Sequence, residues 1–275
     1  MIDRRRFTGG LLVAASLGMH GRGVRADDGA AVVCTHIRDL DAGRTLFHEG
    51  PCERRFSPCS TFKFPLALMG FDAGILHDEH HPLWDYRPEF NATMAHHRKP
   101  TDPTLWLRDS MVWYSREVTR RLGAERLQAY VDGFEYGNRD LTGDPGKQNG
   151  LTRSWIMSSL EVSTDEQVRL LSRFFERSLP VSGRAYAMTL ASMPVFPADG
   201  GWTVRGKTGS GWLRTAAGEI DRSRPLGWFM GWAEKDGRHL AFTRLEVGDK
   251  ALEGPGGFAA RRSVLTRLAA MIKQS

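Results

Sequence analysis

The sequence predicts an α/β fold in which strands from the two ends of the chain form one body and a helical insertion lies between them. Three observations carry that expectation. Strand-like segments cluster at 31–37 and 45–49 and again at 203–211, 227–234 and 239–247, while helical patterns occupy the middle and the extreme C-terminus. No repeat or low-complexity tract breaks the chain. A length of 275 residues with 41% hydrophobic and 25% charged side chains suits one large domain or two closely packed ones, and excludes disorder, collagen and a coiled coil.

The first 26 residues read as an export signal. Arg4, Arg5 and Arg6 precede a short apolar run, 11–19, and Val24-Arg25-Ala26 supplies small residues at a cleavage site. The run is far below the ~20 residues that a spanning helix needs. Arg4-Arg5-Arg6-Phe7 resembles the twin-arginine pattern R-R-x-F, and a plain secretory signal with a basic start fits as well. This segment holds five Arg and one Asp, so it carries four of the six net positive charges, and the remainder (27–275) is left at +2. Such a balance gives no reason to expect a nucleic-acid partner, and nothing in the sequence specifies an oligomeric state.

Segments 31–37 and 45–49 around Asp41-Ala42-Gly43 predict a β-hairpin. Counting outward from the turn sets Cys34 opposite about position 51, so a Cys34–Cys52 bridge is expected in an oxidising compartment, with Cys59 left over. Pro65 fits only the first turn or so of a helix, which puts Ser60 at or just before a helix start. Residues 77–105 read as irregular, 109–122 and 124–132 as helices stopped by Gly123 and Gly133. Ser163-Thr164-Asp165-Glu166 is a capping box opening a further helix, and 259–273 closes the chain as another.

Ser60 and Lys63 share one helix face, one turn apart. A serine hydroxyl needs an adjacent base to become a nucleophile, and a lysine serves if burial lowers its pKa, which Phe62 and Phe64 favour. Chance alone supplies about 0.4 S-x-x-K pairs in a chain of this composition, so the pair by itself is weak. It sharpens with Lys207-Thr208-Gly209 on a predicted strand, because two of only seven lysines then fall in paired motifs.

Ser60-Thr61-Phe62-Lys63, Ser110-Met111-Val112, Tyr136-Gly137-Asn138, Trp155 and Lys207-Thr208-Gly209 occur in an order and spacing that resemble the class D β-lactamases over essentially the whole mature chain. The resemblance implies a β-lactamase/transpeptidase-like fold, with an antiparallel sheet flanked by N- and C-terminal helices and a helical subdomain at roughly 76–190. It implies Ser60 as the acylated nucleophile and Lys63 as the catalytic base, carboxylated by CO₂ or bicarbonate to N6-carboxylysine. Val112 and Trp155 would enclose that group, and the Trp155 indole N–H would donate to it. Ser110 would pass a proton to the departing nitrogen, and Lys207, Thr208, Gly209 and Arg261 would line the carboxylate subsite, with Arg262 the residue most easily confused with Arg261. The backbone N–H groups of Ser60 and Ser210 would form the oxyanion hole. The implied substrates are penicillins and oxacillin-type drugs, with no metal, and the implied location is the periplasm. Tyr136-Gly137-Asn138 would be a structural turn. Cys59 departs from the alanine expected beside the nucleophile.

Three other readings compete. His77, His80, His81, His96 and His97 lie close together, but no metal-binding spacing appears and Pro82, Pro88 and Pro100 break the segment, which favours a solvated loop. A penicillin-binding transpeptidase or a β-lactam sensor domain would be acylated without turnover.

Overall fold

A computed structural model describes residues 31–92 and 94–273; the predicted export segment lies outside them. In chain order the regular elements are β1 (Val32–Asp39), β2 (Arg44–Glu49), β3 (Arg55–Phe56), α1 (Lys63–Asp72), α2 (Pro103–Asp109), α3 (Val112–Leu122), α4 (Ala124–Gly133), α5 (Gly150–Arg153), β4 (Val162–Ser163), α6 (Thr164–Phe175), α7 (Gly183–Ser192), β5 (Val195–Ala198), β6 (Trp202–Arg214), β7 (Ile220–Lys235), β8 (Arg238–Val247) and α8 (Gly256–Met271). Short 3-10 turns occur as well, and the one at Cys59–Phe62 runs directly into α1.

The strands from the two chain ends join in one six-stranded sheet of order β2-β1-β8-β7-β6-β5, antiparallel at every junction. The central strand β7 is covered on both faces. Phe229 and Ala233 pack with Val204, Phe242 and the α8 residues Ala260, Val264 and Leu268, while Met230 and Trp232 join the core that α1 and α6 bring to the opposite face. Two-sided burial of a strand produces a nearly continuous apolar run, and that run makes β7 readable from sequence. Along β6 the burial pattern changes phase at Gly206–Lys207, so that Lys207 is buried and Thr208 half-buried.

The structure corrects several boundaries. Helix 109–122 does not begin at Asp109: α2 ends there, Ser110 takes a left-handed conformation (φ 62°, ψ 40°), and α3 starts at Val112. Part of the stretch read as irregular is helical, because Asp102 caps α2 by accepting from Leu105 N–H, with Pro103 in the first turn. The structure adds α7 and the edge strand β5. The Ser163–Glu166 capping box forms as expected, with both reciprocal hydrogen bonds present. So does the Cys34–Cys52 disulfide, at a Cα–Cα separation of 5.4 Å.

Candidate active site

The nucleophile candidate is set by the turn that precedes α1. Pro58 O accepts hydrogen bonds from both Thr61 N–H (3.1 Å) and Thr61 Oγ1 (2.8 Å), which tightens Cys59–Phe62 into a 3-10 turn. Pro65 tolerates this position because the first turn of a helix leaves its N–H groups unpaired in any case. Ser60 and Lys63 therefore face each other across one turn, and Lys63 Nζ donates to Ser60 Oγ at 3.0 Å.

Lys63 is 1% exposed. Burial holds its amine well below the usual lysine range, and the nearby charges of Lys207 and Arg116 push in the same direction. Among the described residues no carboxylate pairs with it. Phe62 stacks on Trp155 with ring centroids 5.3 Å apart, and both rings are buried. Val112 opens α3 one turn before Arg116, on the same helix face, and is half-buried.

A second lysine–serine pair mirrors the first. Lys207 Nζ donates to Ser110 Oγ and to the Thr208 carbonyl, each at 3.1 Å. Burial and then the charge of Arg261 lower the Lys207 pKa to about 7. Ser110 reaches this lysine because it caps α2 in the left-handed region, which costs a non-glycine residue about 1–2 kcal/mol. A clamp holds the strained link: Asp109 accepts from Lys99 Nζ (2.8 Å) and takes a two-pronged contact from Arg108 (2.8 and 2.9 Å). Arg108 and Lys99 hold the Asp109 carboxyl far below the ordinary range. Neither the clamp nor Arg116 was legible as functional, since no motif marks them.

Strand β6 passes directly over the Ser60 turn at Gly209. A side chain there would lie 2.7 Å from Pro58 O and 3.2 Å from Thr61 N, so only glycine admits the approach. The crossing brings the backbone of Ser210 alongside the Ser60 turn, while Ser210 Oγ turns away and accepts from Gly257 N–H at 3.0 Å. The two neighbouring arginines differ in setting. Arg261 is half-buried, its guanidinium 4.9 Å from the Phe196 and Phe258 ring centroids, and its charge is felt at Lys207; Arg262 is exposed.

Tyr136-Gly137-Asn138 is the structural turn expected of it. Asn138 donates to Ser159 O (2.8 Å) and accepts from Glu161 N–H (3.0 Å), and Gly137 has φ 55° with its Cα against the Glu161 carbonyl. Cys59 is buried and free, and burial pushes its thiol up to about 11, which keeps it a thiol. In the histidine-rich loop His80 contacts Asp102 and His81 contacts Asp78, all four at the surface or near it. A cavity of about 1200 Å³ adjoins the catalytic groups rather than containing them, with Phe56, Ser57, Met157, Trp212 and Leu213 among its walls.

The chain is similar to known proteins over most of its length. Residues 26–268 match the family described as the penicillin binding protein transpeptidase domain. The chain is 49% identical over 259 residues to β-lactamase OXA-9 of Klebsiella pneumoniae, covering 94% of each sequence. It is 33% identical to β-lactamase OXA-1 of Escherichia coli, over 81% of this chain and 78% of that one. The crystal structure of OXA-427, a class D β-lactamase, superposes with a TM-score of 0.80 at 38% identity, covering 88% of this chain and 98% of the other.

Proposed function

The chain belongs to the class D β-lactamases, and from that membership we propose how its own residues hydrolyse penicillins and oxacillin-type drugs. It is a serine hydrolase of β-lactam antibiotics. The observation that carries the residue assignment is the buried Lys63 amine donating to Ser60 Oγ at 3.0 Å.

Lys207, Thr208 and Arg261 receive the drug's carboxylate, with Gly209 keeping the strand backbone close beneath it. Ser60 Oγ attacks the β-lactam carbonyl carbon and its proton passes to the neutral Nζ of Lys63. The backbone N–H groups of Ser60 and Ser210 hold the negative oxygen of the tetrahedral intermediate. As the C–N bond breaks, the departing nitrogen takes a proton from Ser110 Oγ, and Lys207 Nζ, 3.1 Å away, restores it. Lys63 Nζ then passes its proton through solvent to Lys207, resetting both lysines. Neutral again, it takes a proton from the water that attacks the ester carbon and delivers it to Ser60 Oγ as the ester bond breaks.

Lys63 also fits carboxylation by CO₂. Carbon dioxide adds only to a neutral amine, and Lys63 is buried, lacks a carboxylate partner among the described residues and has a depressed pKa. Val112 and the buried Trp155 would wall the group, and the Trp155 indole N–H would hold it. When present, the carbamate would supply an anionic base beside Ser60 for activating the deacylating water. Export to the periplasm is supported by the Cys34–Cys52 bridge, of a kind kept in oxidising compartments.

The test is nitrocefin and oxacillin hydrolysis by the purified mature protein in CO₂-depleted buffer, with and without added bicarbonate. Activity should fall on CO₂ removal, most at acid pH, and recover with bicarbonate. A rate indifferent to bicarbonate would overturn the carboxylation of Lys63.

A further inference from the structure

Two histidines and an aspartate away from the catalytic groups converge on one point, and we propose that His36, His48 and Asp165 form a structural zinc site joining the β1–β2 hairpin to α6. The convergence follows from the backbone. His36 and His48 are direct cross-strand partners, so both rings stand on the same face of the hairpin. Asp165 reaches that face from the first turn of α6, where its N–H also donates to Cys52 O at 3.2 Å. The disulfide fixes β1 to the segment after β2, so all three positions are held before any ion arrives.

The donor atoms suit a small divalent ion. Asp165 Oδ1 lies 2.8 Å from His36 Nδ1 and 2.9 Å from His48 Nε2, and one ligand atom from each residue falls within 4.8 Å of the others. Zinc bonds of about 2.0–2.1 Å in a tetrahedron separate neighbouring donors by about 3.3 Å, so the two short contacts must open by about half an ångström and the wider His36–His48 separation must close by up to about 1.5 Å. Two imidazoles and one carboxylate favour zinc over magnesium or calcium, which take oxygen donors. His48 and Asp165 side chains are 42% and 34% exposed, leaving access for the ion and for a water as fourth ligand. Glu166 is already engaged by Arg55 and by the capping box.

Thr45 completes the arrangement. Its hydroxyl lies 3.1 Å from His36 Nε2. Without metal, each ring donates an N–H to Asp165 and the threonine hydroxyl donates to Nε2. With metal, the His48 proton moves to its Nδ1 and the His36 proton to its Nε2, where it is donated to Thr45 Oγ1, freeing the His48 Nε2 and His36 Nδ1 lone pairs for the ion. A hydroxyl serves both states because it donates and accepts. Its three ligands join the hairpin to α6, and neither Ser60 nor Lys207 is among their hydrogen-bond partners, so the site's role is to strap the hairpin to the helix.

The experiment uses the mature protein stripped with EDTA, then titrated with zinc chloride by calorimetry and with cobalt(II) by visible absorption. One equivalent of zinc should bind and raise Tm while nitrocefin turnover stays unchanged, and cobalt should give the intense visible band of a four-coordinate site. His48→Ala and Asp165→Asn should each abolish the Tm rise and the cobalt band. Thr45→Val should weaken binding about tenfold or more. Absence of stoichiometric binding, or binding undiminished in both ligand variants (as it would be if the histidines of the 77–97 loop held the ion), would overturn the proposal.

Discussion

At the scale of single residues, two buried lysines do opposite work under one physical influence. Desolvation lowers both, yet the proposed mechanism needs Lys63 neutral, as the base, and Lys207 charged, to meet an anionic drug. The Lys207 pKa of about 7 makes a signed prediction. As pH rises through about 7, Lys207 loses its proton in the free enzyme and kcat/KM should fall. Lys207→Arg, which stays charged, should lose that limb even where its overall rate is lower; steady-state profiles of both proteins check it. Stability carries the opposite slope. The native state binds fewer protons than the unfolded one between about 7 and 10.5, so stability rises with pH across that window. Lys207→Met, which has no charge to bury, should raise Tm at pH 7 by about 5 °C, with the gap closing toward the alkaline end. Motifs made Ser60, Lys63, Ser110 and Lys207 legible because their chemistry requires those side chains. The Asp109 clamp on Lys99 and Arg108 was not legible, because it acts by holding a strained link and any well-placed ion pair would serve.

At the scale of elements, the approach of β6 to the Ser60 turn depends on what Gly209 lacks. Gly209→Ala would set a methyl 2.7 Å from a backbone carbonyl that has no rotamer to yield, so the strand must retreat. We expect kcat/KM to fall about 100-fold with far-ultraviolet circular dichroism unchanged, as for a catalytic group displaced by about 1 Å. The disulfide behaves in reverse. Replacing Cys34 and Cys52 together by alanine should cost about 3 kcal/mol, read as a lower urea midpoint, while turnover by the folded protein persists. The elements that sequence reading missed share a cause. The buried positions of α7 are Ala185, Tyr186, Thr189 and Ser192, a stripe too polar and small to register as apolar periodicity. Strand β5 contains Pro197, admissible only because the strand lies at the sheet edge. The capping signal for α2, Asp102-Pro103, was present but sat inside a stretch dominated by His and Pro. By contrast β7, apolar on both faces, and α6, opened by a capping box, were plain.

At the scale of the whole molecule, the site exists where two bodies of structure meet. Ser60 and Lys63 stand on the turn and helix beneath the sheet, Ser110 and Val112 come from the helical insertion, and Lys207 to Ser210 come from the sheet. The basic composition resolves along the same lines. Most of the net charge lies in the first 26 residues, and the cations that matter afterwards are few and local. The central claim, turnover through an acyl-Ser60 ester, is tested most directly by one measurement: intact-protein and peptide mass spectrometry during reaction with excess benzylpenicillin, with product counted per enzyme. The wild-type protein should give many product molecules per enzyme and a transient adduct mapping to Ser60, and Ser60→Ala should give neither. A persistent one-to-one adduct with no product beyond the first equivalent would contradict it and mark the chain as an acylated sensor or transpeptidase.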